Sequence, residues 1–112
     1  MERKIKEEGK FRYAEYGEGK PIIILHGLMG GLSNFDGVVN YFPKKGYRVI
    51  LPELPIYTNS ILKTSVKAFA KFTHDFIKFL ELKDVILLGN SLGGHIALLH
   101  TKLYPENIKA LV

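Results

Sequence analysis

The chain has 112 residues, enough for one domain, and its 46% hydrophobic and 24% charged residues are typical of a folded protein. Because cysteine is absent, disulfides and thiolate chemistry are excluded, and the net charge of +5 comes without the basic clusters of a nucleic-acid-binding protein. No apolar run reaches the about 18 residues of a membrane span. A soluble cytoplasmic protein with a small-molecule partner, and no membrane or nucleic-acid partner, is expected.

The first half of the chain alternates predicted strands with glycine- and proline-rich breaks. Residues 4–16 are predicted to form a β-hairpin with its turn at Gly9. The apolar run at 22–25 lacks polar alternation, which is typical of a strand covered on both faces in a parallel sheet. Ser33 and Asp36 resemble a capping box and predict a short helix that ends near Tyr41.

The second half continues the alternation. A strand is predicted at 47–51, a surface loop at 53–63, and then a long helix that begins after Thr64 or Ser65. Apolar residues recur in this helix at helical spacing, which indicates packing on a sheet: Val66, Phe69, Phe72, Phe76, Ile77 and Leu80. A strand at 85–88, another helix and a strand from Ile108 follow. The whole predicts an α/β fold with a mainly parallel sheet, an N-terminal β-hairpin and helices on both faces.

The most informative motif is Gly89-Asn90-Ser91-Leu92-Gly93, which has the G-x-S-x-G pattern of a nucleophile elbow. A tight turn from strand to helix lifts a serine out of the sheet, and small residues on both sides let strand and helix pass closely. The N-terminus of the following helix directs backbone donors toward developing negative charge. Ser91 is therefore a candidate nucleophile, with Asn90 beside it.

A second glycine-rich segment, His26-Gly27-Leu28-Met29-Gly30-Gly31, follows the predicted strand at 22–25. Its spacing lacks the G-x-G-x-x-G pattern of dinucleotide-binding loops and the Lys-Ser/Thr ending of a P-loop. The favoured interpretation is that its glycines turn backbone amides toward an oxyanion. Because both motifs follow strands of a parallel sheet, they are expected to face one pocket at the carboxyl ends of those strands.

These two motifs and their separation resemble the N-terminal part of an α/β-hydrolase-fold enzyme, over essentially the whole chain. The resemblance implies that Ser91 is the nucleophile and that the backbone amides of Leu28 and Leu92 form the oxyanion hole. It also implies acyl-transfer hydrolysis of esters, amides or thioesters, or carbon–carbon bond cleavage, without a cofactor. His26, Gly27, Met29, Asn90 and His95 are then expected to line the site.

The chain also departs from the family's pattern. In this family the triad acid and histidine follow the serine on loops after later strands, whereas this chain stops at Val112. We therefore expect a truncated domain over residues 1–112 that is inactive alone and has an unpaired sheet edge through which it self-associates. A non-catalytic ligand-binding or interaction module with the same fold is the alternative interpretation.

None of the four histidines is predicted to replace the missing base. His95 lies four residues after Ser91, but the elbow moves the serine off the helix axis, so a polar or packing role is expected. His26 is expected to fix its loop by hydrogen bonding, and His74 and His100 are predicted at helix surfaces or boundaries. No histidine pair is spaced with a carboxylate as a metal site would be. The aspartates are predicted in a cap, on a solvated helix face and in a loop, respectively: Asp36, Asp75 and Asp84.

Overall fold

A computed structural model of the chain describes residues 3–25, 36–53, 66–89 and 92–112. Within these ranges the chain alternates strands and helices in the predicted order. The strands are β1 (Arg3–Glu8), β2 (Phe11–Tyr16), β3 (Lys20–Leu25), β4 (Tyr47–Pro52), β5 (Val85–Gly89) and β6 (Ile108–Leu111). The helices are α1 (Asp36–Tyr41), α2 (Val66–Phe79) and α3 (Leu92–Leu103), and a 3₁₀ helix (Phe42–Lys45) follows α1.

The strands form one sheet in the order β1-β2-β4-β3-β5-β6. β1 and β2 form the antiparallel hairpin, β2 pairs antiparallel with β4, and the remaining neighbours pair in parallel. β3 lies in the middle, and its side chains from Ile23 to Leu25 are fully buried. The predicted α/β fold with a mainly parallel sheet is confirmed, and the unbroken apolar run of β3 is explained because the strand is covered on both faces.

Each face of the sheet has its own apolar core. On one face, α2 and α3 cover a cluster that includes Phe76, Ile96 and Leu87. On the other, Val39 of α1 joins Ile24 and Val49. Helices therefore lie on both faces, as predicted. The helical spacing in α2 is also confirmed, because Phe69, Phe76 and Ile77 are buried while Phe72 and Leu80 pack at the edge of the same cluster.

Helix α1 ends at Tyr41, as predicted, and the 3₁₀ helix follows it directly. Pro43 lies buried in the first turn of this 3₁₀ helix, a position where its missing N–H costs nothing. Gly46 then ends the helix with a left-handed φ of 88°, and its amide donates to the carbonyl of Phe42. Ser33 of the predicted capping box and nearly all of the predicted loop at 53–63 lie outside the described residues.

A buried carboxylate that sequence patterns did not indicate joins the antiparallel strands. Glu15 of β2 is 6% exposed, accepts a hydrogen bond from Arg48 of β4, and lies 3.0 Å from the ammonium of Lys6 on β1. Burial raises the pKa of this carboxyl, but the hydrogen bonds from Lys6 and Arg48 outweigh it and leave the pKa below its usual value. The contribution of these ion pairs to stability is fully present above the carboxyl's ordinary pKa and is lost as the pH falls from that value through the lower pKa of the folded state.

The C-terminus of α2 is a Schellman motif whose left-handed position is occupied by Glu81 and not by glycine. The amide of Leu82 donates to the carbonyl of Ile77 at 3.0 Å, and Leu82 packs beside Ile77 in the core. Between them Glu81 has φ 55°, a conformation that costs an L-residue energy and that glycine adopts freely.

Glu81→Gly is expected to raise the free energy of unfolding by about 0.5–1 kcal/mol, because it relieves that strain. Urea denaturation of the protein and its variant measures the change. Lys83→Gly is the control: Lys83 is also exposed but has no positive φ, so glycine there should only add unfolded-state entropy and lower the stability. A loss of stability in Glu81→Gly as large as in the control would contradict the prediction.

Candidate active site

The two strands that precede the predicted motifs end side by side. β3 and β5 are parallel neighbours, and their last residues, Leu25 and Gly89, are partners in the register. Adjacent strands lie roughly 4.8 Å apart. The chain therefore leaves the sheet toward His26 and toward Asn90 at neighbouring points of one edge, at the carboxyl ends where ligands of such sheets bind.

The end of β5 and the start of α3 approach each other closely. Only two residues, Asn90 and Ser91, separate the end of β5 at Gly89 from the start of α3 at Leu92. A Cβ atom added at Gly89 would lie 2.5 Å from the carbonyl oxygen of Gly93 and 2.6 Å from the Cα atom of Gly94. Since real Cβ atoms do not approach backbone that closely, no side chain fits at position 89 while the helix starts where it does.

Helix α3 gives this edge a favourable electrostatic environment for an anion. It has 12 residues and carries no acidic side chain in its first turn. Its aligned peptide dipoles therefore leave positive partial charge at the end that begins at Leu92, directly after Ser91. Unpaired backbone amides at such an end are suited to stabilise an oxyanion.

The structure describes only two of the predicted site residues. The backbone of Leu92 begins α3, and His95 is exposed one turn later, where it borders a cavity of about 550 Å³ with Leu98, Leu99 and Lys102. The other predicted residues lie outside the described part of the chain, so their roles stay predictions: His26, Gly27, Leu28, Met29, Asn90 and Ser91.

Two kinds of feature are not found among the described residues. Within 3–25, 36–53, 66–89 and 92–112, no group of three or more histidine, aspartate or glutamate side chains could hold a metal ion. Among the same residues, no helix is long and apolar enough to cross a membrane.

The prediction for His100 is wrong. This side chain was expected at a surface or boundary but is 1% exposed, in the contact between α3 and α2. The reason is its spacing, since His100 lies four and three residues after Ile96 and Ala97 and so shares their buried face. Burial lowers the pKa of its imidazole to about 4. His74, in contrast, is half-buried, as a boundary position predicts.

The chain is similar in sequence to known hydrolases. It is 33% identical over 106 residues to a Mycoplasma pneumoniae protein provisionally named esterase/lipase 2, covering 91% of this chain and 40% of that protein. It is 33% identical over 108 residues to 2-hydroxy-6-oxononadienedioate/2-hydroxy-6-oxononatrienedioate hydrolase 1 of Pseudomonas putida, covering 89% and 38%. The chain thus spans about 40% of the length of these relatives.

Solved structures give the same result for the fold. An alpha/beta hydrolase enzyme from the metagenome of sediments from the lagoon of Mar Chica, Morocco, is 65% identical and superposes with a TM-score of 0.91, covering 96% of this chain and 49% of that one. An epoxide hydrolase of Vigna radiata superposes with a TM-score of 0.84 at 24% identity, covering 98% and 37%, a likeness of fold alone. The family model of the alpha/beta hydrolase fold matches residues 20–112, which include the strand ends and the close approach of β5 and α3 described above. With most of its length matched in this way, the chain belongs to the alpha/beta hydrolase fold family.

Proposed function

We propose that this chain carries the nucleophile and the oxyanion hole of a serine hydrolase, with Ser91 as the nucleophile. The observation that carries the proposal is that only two residues separate β5 from α3, and that the end of β5 lies so close to the start of α3 that position 89 must be glycine. A nucleophile elbow needs such a turn because the attacking hydroxyl must project beyond the sheet and lie near the start of the helix.

In the proposed reaction, the Oγ atom of Ser91 attacks the carbonyl carbon of the substrate and transfers its proton to a histidine base. The backbone amides of Leu28 and Leu92 donate to the oxygen of the tetrahedral intermediate. Collapse of the intermediate expels the protonated leaving group and leaves an acyl enzyme, which water then hydrolyses. The position of Leu92 at the first residue of α3 supports its part, because that amide has no partner within the helix.

We propose that the histidine base and its acid are supplied by residues that follow this chain in the whole protein. Two observations support this. The relatives that the chain matches are more than twice as long, and His95, the described histidine nearest in sequence to Ser91, is exposed on α3 beside Lys102 and is not paired with a carboxylate among the described residues.

The substrate class proposed is a compound with a carbonyl carbon that Ser91 can attack. The names of the relatives support two members of that class: esters, from the protein named as an esterase/lipase, and 2-hydroxy-6-oxo acids, from the Pseudomonas putida hydrolase. In the second case the bond broken next to the oxo group is a carbon–carbon bond. The same nucleophile and oxyanion donors serve both reactions, because both pass through attack on a carbonyl.

A fluorophosphonate probe tests the proposal, because it phosphonylates only an activated serine. The full-length protein is expected to gain one probe mass, located at Ser91 by peptide mass spectrometry, and Ser91→Ala is expected to remove the labelling completely. Ser65→Ala serves as the matched control and should label like the unchanged protein. Labelling that persists in Ser91→Ala would contradict the proposal, and a full-length protein that binds carbonyl compounds without labelling would favour a non-catalytic binding module.

A further inference from the structure

A cluster of three aromatic side chains joins α3 to α2. The ring of His74 on α2 stacks on that of Tyr104 just after α3, with centroids 4.1 Å apart and planes 10° apart. The ring of His100 lies 5.6 Å from Tyr104 and 6.2 Å from His74. We call these three residues the histidine cluster.

The buried member of the cluster is polar but has no polar partner. Both ring nitrogens of His100 are inaccessible to solvent and without a hydrogen-bond partner among the described residues. A neutral imidazole already loses one donor and one acceptor contact with water in such a place. A protonated imidazole would bury a full charge and two unpaired donors, which costs far more.

The charged groups around the cluster do little to offset that cost. On α2, His74 repels a charge on His100 when it is itself protonated, and Asp75 already pairs with Lys71 at 3.2 Å and with Lys10 at 3.7 Å. After α3, Glu106 attracts a proton onto His100, but it is exposed and its influence is smaller than that of burial and of His74. Within the described ranges, no other charged side chain shifts the pKa of His100.

We propose that the histidine cluster is an acid-sensitive contact, which holds α3 against α2 while His100 is neutral and releases it when His100 takes up a proton. Release is favoured because the charged ring gains water only when the two helices separate. The helix released is the one that begins directly after Ser91. The expected loss of stability at acid pH does not depend on the proposed function. Only an accompanying loss of catalysis at acid pH would depend on it.

The direction of the pH effect follows from proton binding. The pKa of His100 is about 4 in the folded chain and 6.5 in the unfolded chain, so the unfolded state binds the proton more tightly. The stabilisation from neutral His100 is fully present above pH 6.5 and is lost as the pH falls from 6.5 toward 4. Between pH 7 and pH 5, this one group should lower the folding equilibrium constant about 20-fold.

Urea denaturation at pH 7 and pH 5 tests the proposal. His100→Phe keeps a ring in the cluster but removes the proton site. From pH 7 to pH 5, the folding equilibrium constant of the unchanged protein should therefore fall about 20 times further than that of His100→Phe. His95→Gln is the control, because His95 lies on the same helix but is exposed, and it should retain the full pH dependence. Equal pH dependence in His100→Phe and the unchanged protein would overturn the proposal.

A measurement on the unchanged protein keeps the test decisive if His100→Phe fails to fold. In an NMR titration, the His100 ring should remain neutral at pH 5.5 in the folded protein. As the pH is lowered below 5, hydrogen exchange of the α3 amides, corrected for the intrinsic rate, should become faster at a higher pH than exchange of the β3 amides. A His100 ring that titrates at pH 6.5 or above, or exchange in α3 that keeps pace with exchange in β3, would overturn the proposal. If the full-length protein were not labelled by the probe at pH 7, that would count against the proposed function of Ser91 but would not affect the conclusion about His100.

Discussion

Ser91→Ala is expected to lower kcat of the full-length protein by about 10⁵- to 10⁶-fold on a substrate that it hydrolyses. Removal of a serine nucleophile costs this much because the acyl enzyme can no longer form. A residual rate above that in water is expected, since the oxyanion donors and the substrate-binding surface remain. KM should change far less than kcat, because the serine hydroxyl acts mainly in the transition state.

The measurement is a steady-state assay on aryl esters and on a 2-hydroxy-6-oxo acid, with Ser65→Ala as the control that retains activity. The 112-residue chain assayed alone at high concentration should show no turnover that depends on Ser91, because the base is proposed to lie outside it. A variant that keeps more than a tenth of the activity would show that another group is the nucleophile, and Ser91-dependent turnover by the short chain would show that its own residues supply the base.

The fold was predictable where a single physical requirement determines the residue pattern. An element that is buried on both faces must be apolar throughout, and β3 meets that condition from Ile22 to Leu25. A helix on a sheet must show an apolar stripe at helical spacing, and α2 does so through Phe69, Phe76 and Ile77. In both cases burial affects many neighbouring residues at once, so the sequence repeats the same information.

Single side chains that depend on partners distant in sequence were not predictable. The ion pairs of Glu15 depend on β4, which brings Arg48 against it from 33 residues later in the chain. His100 was misplaced for a related reason: a histidine suits a surface as well as a core, so only the helical register relative to Ile96 and Ala97 distinguishes the two.

The candidate site also has one part that was predictable from the sequence and one part that was not. The backbone geometry at the strand ends was predictable, because glycine at position 89 and a parallel sheet together limit how β5 can enter α3. The substrate was not, since no motif in this chain distinguishes an ester from an oxo acid. Specificity in such sheets depends on side chains that loops bring together.

Gly89→Ala is expected to destabilise the protein by about 3 kcal/mol and to abolish probe labelling at Ser91. The added methyl group would lie within 2.6 Å of two backbone atoms of the first turn of α3, and backbone cannot rotate aside as a side chain can. Either the start of the helix moves away from the strand or the strand end shifts. Each movement displaces Ser91, one of the two residues between them, and a reacting side chain must be placed with an accuracy of about 0.5 Å.

Gly94→Ala is the matched control, because the same methyl group is added to the other side of the same contact. A Cβ atom at Gly94 would lie 3.7 Å from the carbonyl oxygen of Gly89, an ordinary distance, and alanine favours the helix over glycine by up to about 1 kcal/mol. Urea denaturation should therefore show changes of opposite sign in the two variants, and labelling should survive only in Gly94→Ala. If Gly89→Ala proved as stable and as reactive as Gly94→Ala, the close approach of β5 and α3 could not be what positions Ser91.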